Sequence, residues 1–120
     1  CPLRGVHRML HSAPHGDFEP MLGRLQQLPP EARQRYCVLL ARDLCAALEH
    51  LKGEPSPETL QRTLHSLVGV LGTAAAPCHA LACEADQLSK RQQLSRAKLL
   101  TLTIELEALV AWLQRGPAAQ

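Results

Sequence analysis

Leucine and alanine recur along this chain at steps of three and four, and no stretch alternates apolar and polar residues as a half-buried strand does. The pattern predicts an all-α fold. A first, short helix runs from about Asp17, its cap, to Leu28, with Phe18, Met21, Leu22, Leu25 and Leu28 along one side. Pro29-Pro30 ends it and opens a long second helix to about Leu51, because proline suits the first helical turn. Its apolar stripe is Tyr36, Leu40, Leu44, Ala47, Leu48 and Leu51. Lys52-Gly53-Glu54-Pro55 stops that helix. Ser56-Pro57-Glu58 then supplies a cap, a first-turn proline and an acid near the positive helix end.

The third helix is expected from Pro57 to Thr73 or Ala74. The fourth starts at Pro77 and continues to about Lys90, burying Leu81, Cys78 or Ala85, and Leu88. Ser89-Lys90-Arg91-Gln92-Gln93 makes a polar turn. Ser95 caps the last helix, with Leu94 and Leu99 placed as a hydrophobic staple. That helix carries Leu99, Leu102, Leu106, Leu109 and Leu113 to about Gln114, with Trp112 capping the core, and Gly116-Pro117 closes it. Short connections between long helices imply an antiparallel four-helix bundle with an additional short N-terminal helix. Residues 1–16 read as a tether, with a short helical turn around Val6–His11. Residues 17–116 are the bundle, and 117–120 a tail. No internal repeat is visible.

Composition narrows the function classes. Phe, Trp and Tyr occur once each, which favours helix over sheet in a chain that is 46% apolar. A net charge of +2 is too small to argue for nucleic acid or for direct contact with an acidic membrane. No apolar run approaches the ~18 residues of a membrane span, and the N-terminus lacks a secretory layout. Because the chain opens at Cys1 without an initiator Met, it is expected to be part of a larger protein, with a membrane anchor or other domains outside it. Cys1, Cys37, Cys45, Cys78 and Cys83 form an odd set without small-loop spacing, which argues for reduced thiols and a cytoplasmic setting.

No metal site is expected. Cys78 and His79 project about 100° apart on a helix, and Cys83, Cys37 and Cys45 complete no zinc spacing. His7, His11 and His15 belong to the tether, and His50 to the solvated end of the second helix. Lys90-Arg91, with Arg96 and Lys98, reads first as a solvated turn and second as a contact for a protein partner.

The third helix holds the informative segment, Leu60-Gln61-Arg62-Thr63-Leu64-His65-Ser66-Leu67-Val68-Gly69-Val70-Leu71-Gly72. Leu60, Leu64, Leu67 and Leu71 fall on a narrow arc that faces the core, and His65 lies about 130° from its centre. Gly69 and Gly72 follow on the histidine's own stripe. Each costs a helix ~1 kcal/mol against Ala, so two of them beside one exposed His is a poor choice for stability alone. They leave the imidazole open to a partner, while Gln61 and Arg62, one turn earlier, can hydrogen-bond or attract an anion. Alternatively the glycines mark close helix packing, a reading their position opposite the leucine arc opposes.

Phosphoryl transfer suits this arrangement. Imidazole, with an ordinary pKa of ~6.5, is largely neutral and nucleophilic near pH 7. The transferred group needs positioning and charge neutralisation more than covalent help. The run from His65 to Gly72 resembles the signature of histidine-containing phosphotransfer domains: His, any, Leu, Lys, Gly, any, any, Gly, on the third helix of a bundle. His65, Leu67, Gly69 and Gly72 match it, and the helix order from about Asp17 to Gln114 is similar too.

The resemblance implies that His65 accepts a phosphoryl group from the aspartate of one receiver domain and passes it to the aspartate of another. It implies a place as the C-terminal module of a hybrid sensor kinase, no cofactor in this domain, Mg on the partner receiver, and a monomer in isolation. Gly69 and Gly72 would permit docking, and Leu67 would belong to the core. One position departs from the signature: Val68 stands where the family carries Lys. That predicts a less stabilised phosphohistidine, or a substitute cation, for which Arg62 is the sequence's candidate. Two other readings stay open, a degenerate module that docks receivers without carrying phosphate, and a helical domain with a thiolate and imidazole metal site. No triad, phosphate loop or paired-carboxylate site suggests an independent enzyme.

Overall fold

The computed structural model describes residues 18–72 and 75–115, and among them it is all-helical, with no strand. The helices are α1 (Glu19–Gln26), α2 (Pro30–Lys52), α3 (Pro57–Leu71), α4 (Ala76–Lys90) and α5 (Arg96–Gln114). The expected tether, the Val6–His11 turn, the Asp17 cap, Cys1 and the tail lie outside the described residues.

Local chemistry sets the ends. Pro30 and Pro57 begin α2 and α3 as first-turn prolines. Ser56 Oγ accepts the Thr59 N–H at 3.2 Å, and Ser95 Oγ accepts the Lys98 N–H at 3.2 Å, so both serines cap as their sequence context predicts. Leu94 and Leu99, either side of the second cap, are both half-buried against the core. α3 is shorter than expected. It stops at Leu71 because Gly72 turns to φ +64°, ψ 175°, a region that a side chain would strain.

α4 ends in a Schellman arrangement, with the Gln93 N–H on Leu88 O at 2.8 Å and the Gln92 N–H on Ser89 O at 3.0 Å. Gln92 occupies the left-handed position there, at φ 57°, where glycine would be at ease.

Each of the four long helices packs along two neighbours: α2 on α3 and α5, and α4 on the same two. One continuous core results. Leu40, Leu44, Leu48 and Leu51 of α2 meet Leu64, Leu67 and Leu71 of α3 and Leu102, Leu106, Leu109 and Leu113 of α5. Two expected stripes shift. On α2, Cys37 and Ala41 face inward, and Tyr36 is 39% exposed. On α4, the fully buried positions are Cys78, Ala82 and Ala85, while Leu81 and Leu88 stay at the edge. Of its two neighbours α4 packs more extensively along α3. α1 inserts Phe18, Met21 and Leu25, and the Phe18 ring tilts against Trp112 with centroids 5.2 Å apart. No helix among the described residues is long and apolar enough to cross a membrane.

Candidate functional site

The rotation of α3 is fixed by burial of Leu64, Leu67 and Leu71, with Leu60 half-buried at the same edge. His65 therefore projects outward, and 75% of its side chain is exposed. The close approach of α4 brings Asp86, Ser89 and Lys90 to its flank. Asp86 is the feature that sequence reasoning missed: its side chain is only 7% exposed. Asp86 Oδ2 lies 3.7 Å from His65 Nδ1, at ion-pair range, and 3.4 Å from Lys90 Nζ. Gln61 Nε2 donates to Asp86 Oδ1 at 3.0 Å, and Ser89 Oγ donates to Gln61 Oε1 at 3.3 Å. The carboxylate is thus held from both oxygens, and it faces one edge of the imidazole. The rest of the imidazole is largely exposed.

His65 opens onto a groove of about 990 Å³ between the start of α3 and the end of α4, whose walls include Pro57, Leu60, Gln61, Ser89 and Lys90. Arg62 borders this groove and also a second one, of about 410 Å³, shared with Asp43 and His50 on the α2 side. Gln61 and Arg62 therefore have different roles: Gln61 is bound to α4, and Arg62 stands on the other flank. Val68 is half-buried against the core.

The two glycines also separate. A Cβ at Gly69 would meet no atom within 4 Å, so the surface is open at that position, one turn past His65. Gly72 lies one residue past the helix rather than on its exposed stripe, and its positive φ already accounts for glycine. Open space surrounds it as well.

The cysteines lie elsewhere. Cys37, Cys45, Cys78 and Cys83 are free thiols. Cys78 turns to Glu105 O of α5 at 3.4 Å, and Cys83 Sγ lies 3.7 Å from His79 Nε2, so the two thiols of α4 diverge. Burial pushes the Cys37 thiol up from its ordinary pKa, partly offset by the nearby Arg33 charge. Among the described residues no three His, Cys, Asp or Glu side chains converge on a metal position. Set against family models, curated proteins and solved structures, the chain matches none of them.

Proposed function

We propose that this chain is a histidine phosphotransfer module, an antiparallel four-helix bundle with a short additional helix, and that His65 is its phosphoacceptor. The observation that carries the reading is the exposed imidazole with Nδ1 turned to a buried carboxylate and a bare surface beyond it. Facing Asp86 favours the tautomer with its proton on Nδ1, which leaves a lone pair on Nε2. That lone pair attacks the phosphorus of a receiver's aspartyl phosphate. The P–O bond to the aspartate breaks, the aspartate leaves as a carboxylate with the bonding pair, and the phosphoryl group ends on Nε2. The Nδ1 proton stays on the ring, and Asp86 balances the positive charge that develops there. Transfer to the next receiver is the same step reversed, so a carrier gains by holding the ring rather than by driving one direction.

In this reading the partners are receiver domains, which bring their own Mg and acidic pocket, and the setting is cytoplasmic, as a module of a hybrid sensor kinase. Gly69 gives the receiver room to close on His65. The chain needs no cofactor of its own.

The test is transfer of labelled phosphate from phosphorylated receivers to the purified chain. The label should be acid-labile and base-stable, and His65→Gln should abolish it. Labelling that survives the substitution refutes the assignment. Val68 in place of Lys favours a second reading, a receiver-docking module without phosphate uptake. It predicts receiver binding with no label on His65.

A further inference from the structure

Resting on the reading of His65 as phosphoacceptor, we propose that Lys90, on α4, is the cation that holds the phosphoryl group, in place of the lysine missing at Val68. Three observations lead to it. The first is where the charge was lost. Val68 and Gln61 lie within about 20° of each other around α3, and Gln61 bonds to Asp86 of α4. A lysine at 68 would therefore rise on the side of His65 that faces α4, and α4 supplies Lys90 on that side.

The second is reach. Lys90 Nζ and His65 Nδ1 both contact Asp86 Oδ2, so they are at most about 7 Å apart, the two contacts laid end to end. A phosphoryl group projecting from Nε2 has oxygens well within the swing of a half-exposed lysine. Lys90 is also the last residue of α4, where a cation is favoured by the helix end.

The third is the weakness of the alternative. Helical side chains lean toward the N-terminus of their own helix. A residue three positions after His65 leans back over the ring, whereas Arg62, three positions before it, leans away. Arg62 is also shared between His65's groove and the α2-side one.

The ammonium has a reason to move. In the unphosphorylated protein its partner is Asp86, whose two oxygens already have Gln61 and His65 beside them. A phosphoryl dianion carries more charge and more acceptor oxygens than the shared Oδ2, so Lys90 transfers to it. Asp86 keeps Gln61 and the ring.

The experiment loads the chain with phosphoramidate, a small-molecule donor that needs no receiver, and follows decay of the phosphohistidine. Lys90→Met keeps the length of the side chain and removes the charge; it should shorten the lifetime by about fivefold. Lys90→Arg should restore it, and Arg62→Met should leave it within about twofold. Added salt should shorten the wild-type lifetime and leave Lys90→Met unchanged, which a purely structural role would not produce. Equal lifetimes for wild type and Lys90→Met overturn the role of Lys90 while His65 stands as acceptor. Shortening by Arg62→Met alone moves the role to Arg62. A wild-type chain that takes no label on His65 overturns the phosphoacceptor reading and this proposal together.

Discussion

Gly69 separates what the fold needs from what docking needs. It lies inside α3 with ordinary helical backbone, and a Cβ placed on it meets nothing within 4 Å. Gly69→Ala therefore adds no clash, restricts the unfolded chain and improves helix propensity. The gain should be about 0.5–1 kcal/mol, toward the lower end because Gly69 is two residues from the helix end. In a domain of this size that is a rise of roughly 2–6 °C in Tm, read by far-UV circular dichroism. Gly69→Leu should fold equally well, since the space is open, yet place a bulky side chain one turn from His65. Transfer from a phosphorylated receiver should fall by about tenfold or more, a barrier of about 1.4 kcal/mol, with phosphoramidate labelling unchanged. Gly72→Ala is the control: at φ +64° and ψ 175° it should cost about 1–3 kcal/mol in stability. A fall in Tm for Gly69→Ala would show that the face is not bare, and undiminished transfer by Gly69→Leu would show that its bareness does not serve docking.

Three further outcomes follow from the packing. Gln92 holds a left-handed position in the α4 Schellman turn, so Gln92→Gly should stabilise by about 0.5–1 kcal/mol in chemical denaturation; no gain would mean that the Gln92 side chain has compensating contacts. Glu107 is nearly buried on α5 and pairs with Lys52 Nζ at 2.8 Å, so Lys52→Met leaves a poorly solvated carboxylate. With Lys52 itself half-exposed, the loss should be about 1–2 kcal/mol, and Lys52→Met with Glu107→Gln should recover part of it. The raised Cys37 thiol pKa has a defined sign. Its contribution to stability is complete below the unfolded thiol's pKa of about 8.5–9 and is lost as pH rises from there toward the folded value, because only the unfolded state has released its proton. Denaturation midpoints of wild type should therefore fall more steeply with pH above that point than those of Cys37→Ala.

Much of this fold is legible in the sequence because its signals are local. Ser56-Pro57-Glu58 and Ser95 announce helix starts through groups only three residues apart, and the leucines of α3 fix its rotation and hence the direction of His65. The errors arise where a local rule meets a tertiary choice. Tyr36 looks like the better core residue than Cys37 by size, yet the helix turns the thiol inward and leaves the ring 39% exposed. Gly72 sits at helical spacing from His65, but its own freedom at φ +64° ends the helix first. On α4 Cys78 and Ala85 are buried as the sequence offered, while Leu81 and Leu88 stay at the edge and Ala82, which the leucine spacing passes over, is buried instead.

The packing of α4 on α3 explains why Asp86 is not evident in the sequence and why it matters. In sequence it is one of two acids on α4, Glu84 and Asp86. It is buried where α4 packs on α3, and taking a carboxylate out of water there carries a desolvation cost. Gln61 and Lys90 offset that cost, but an apolar residue of similar size would suit a purely structural contact at least as well. The carboxylate earns its place through what it faces. It lies 3.7 Å from His65 Nδ1, and its own rotation is held by Gln61, which Ser89 holds in turn. In the proposed reading, a carboxylate beside Nδ1 favours the tautomer protonated there and leaves Nε2 as the nucleophile before any partner arrives.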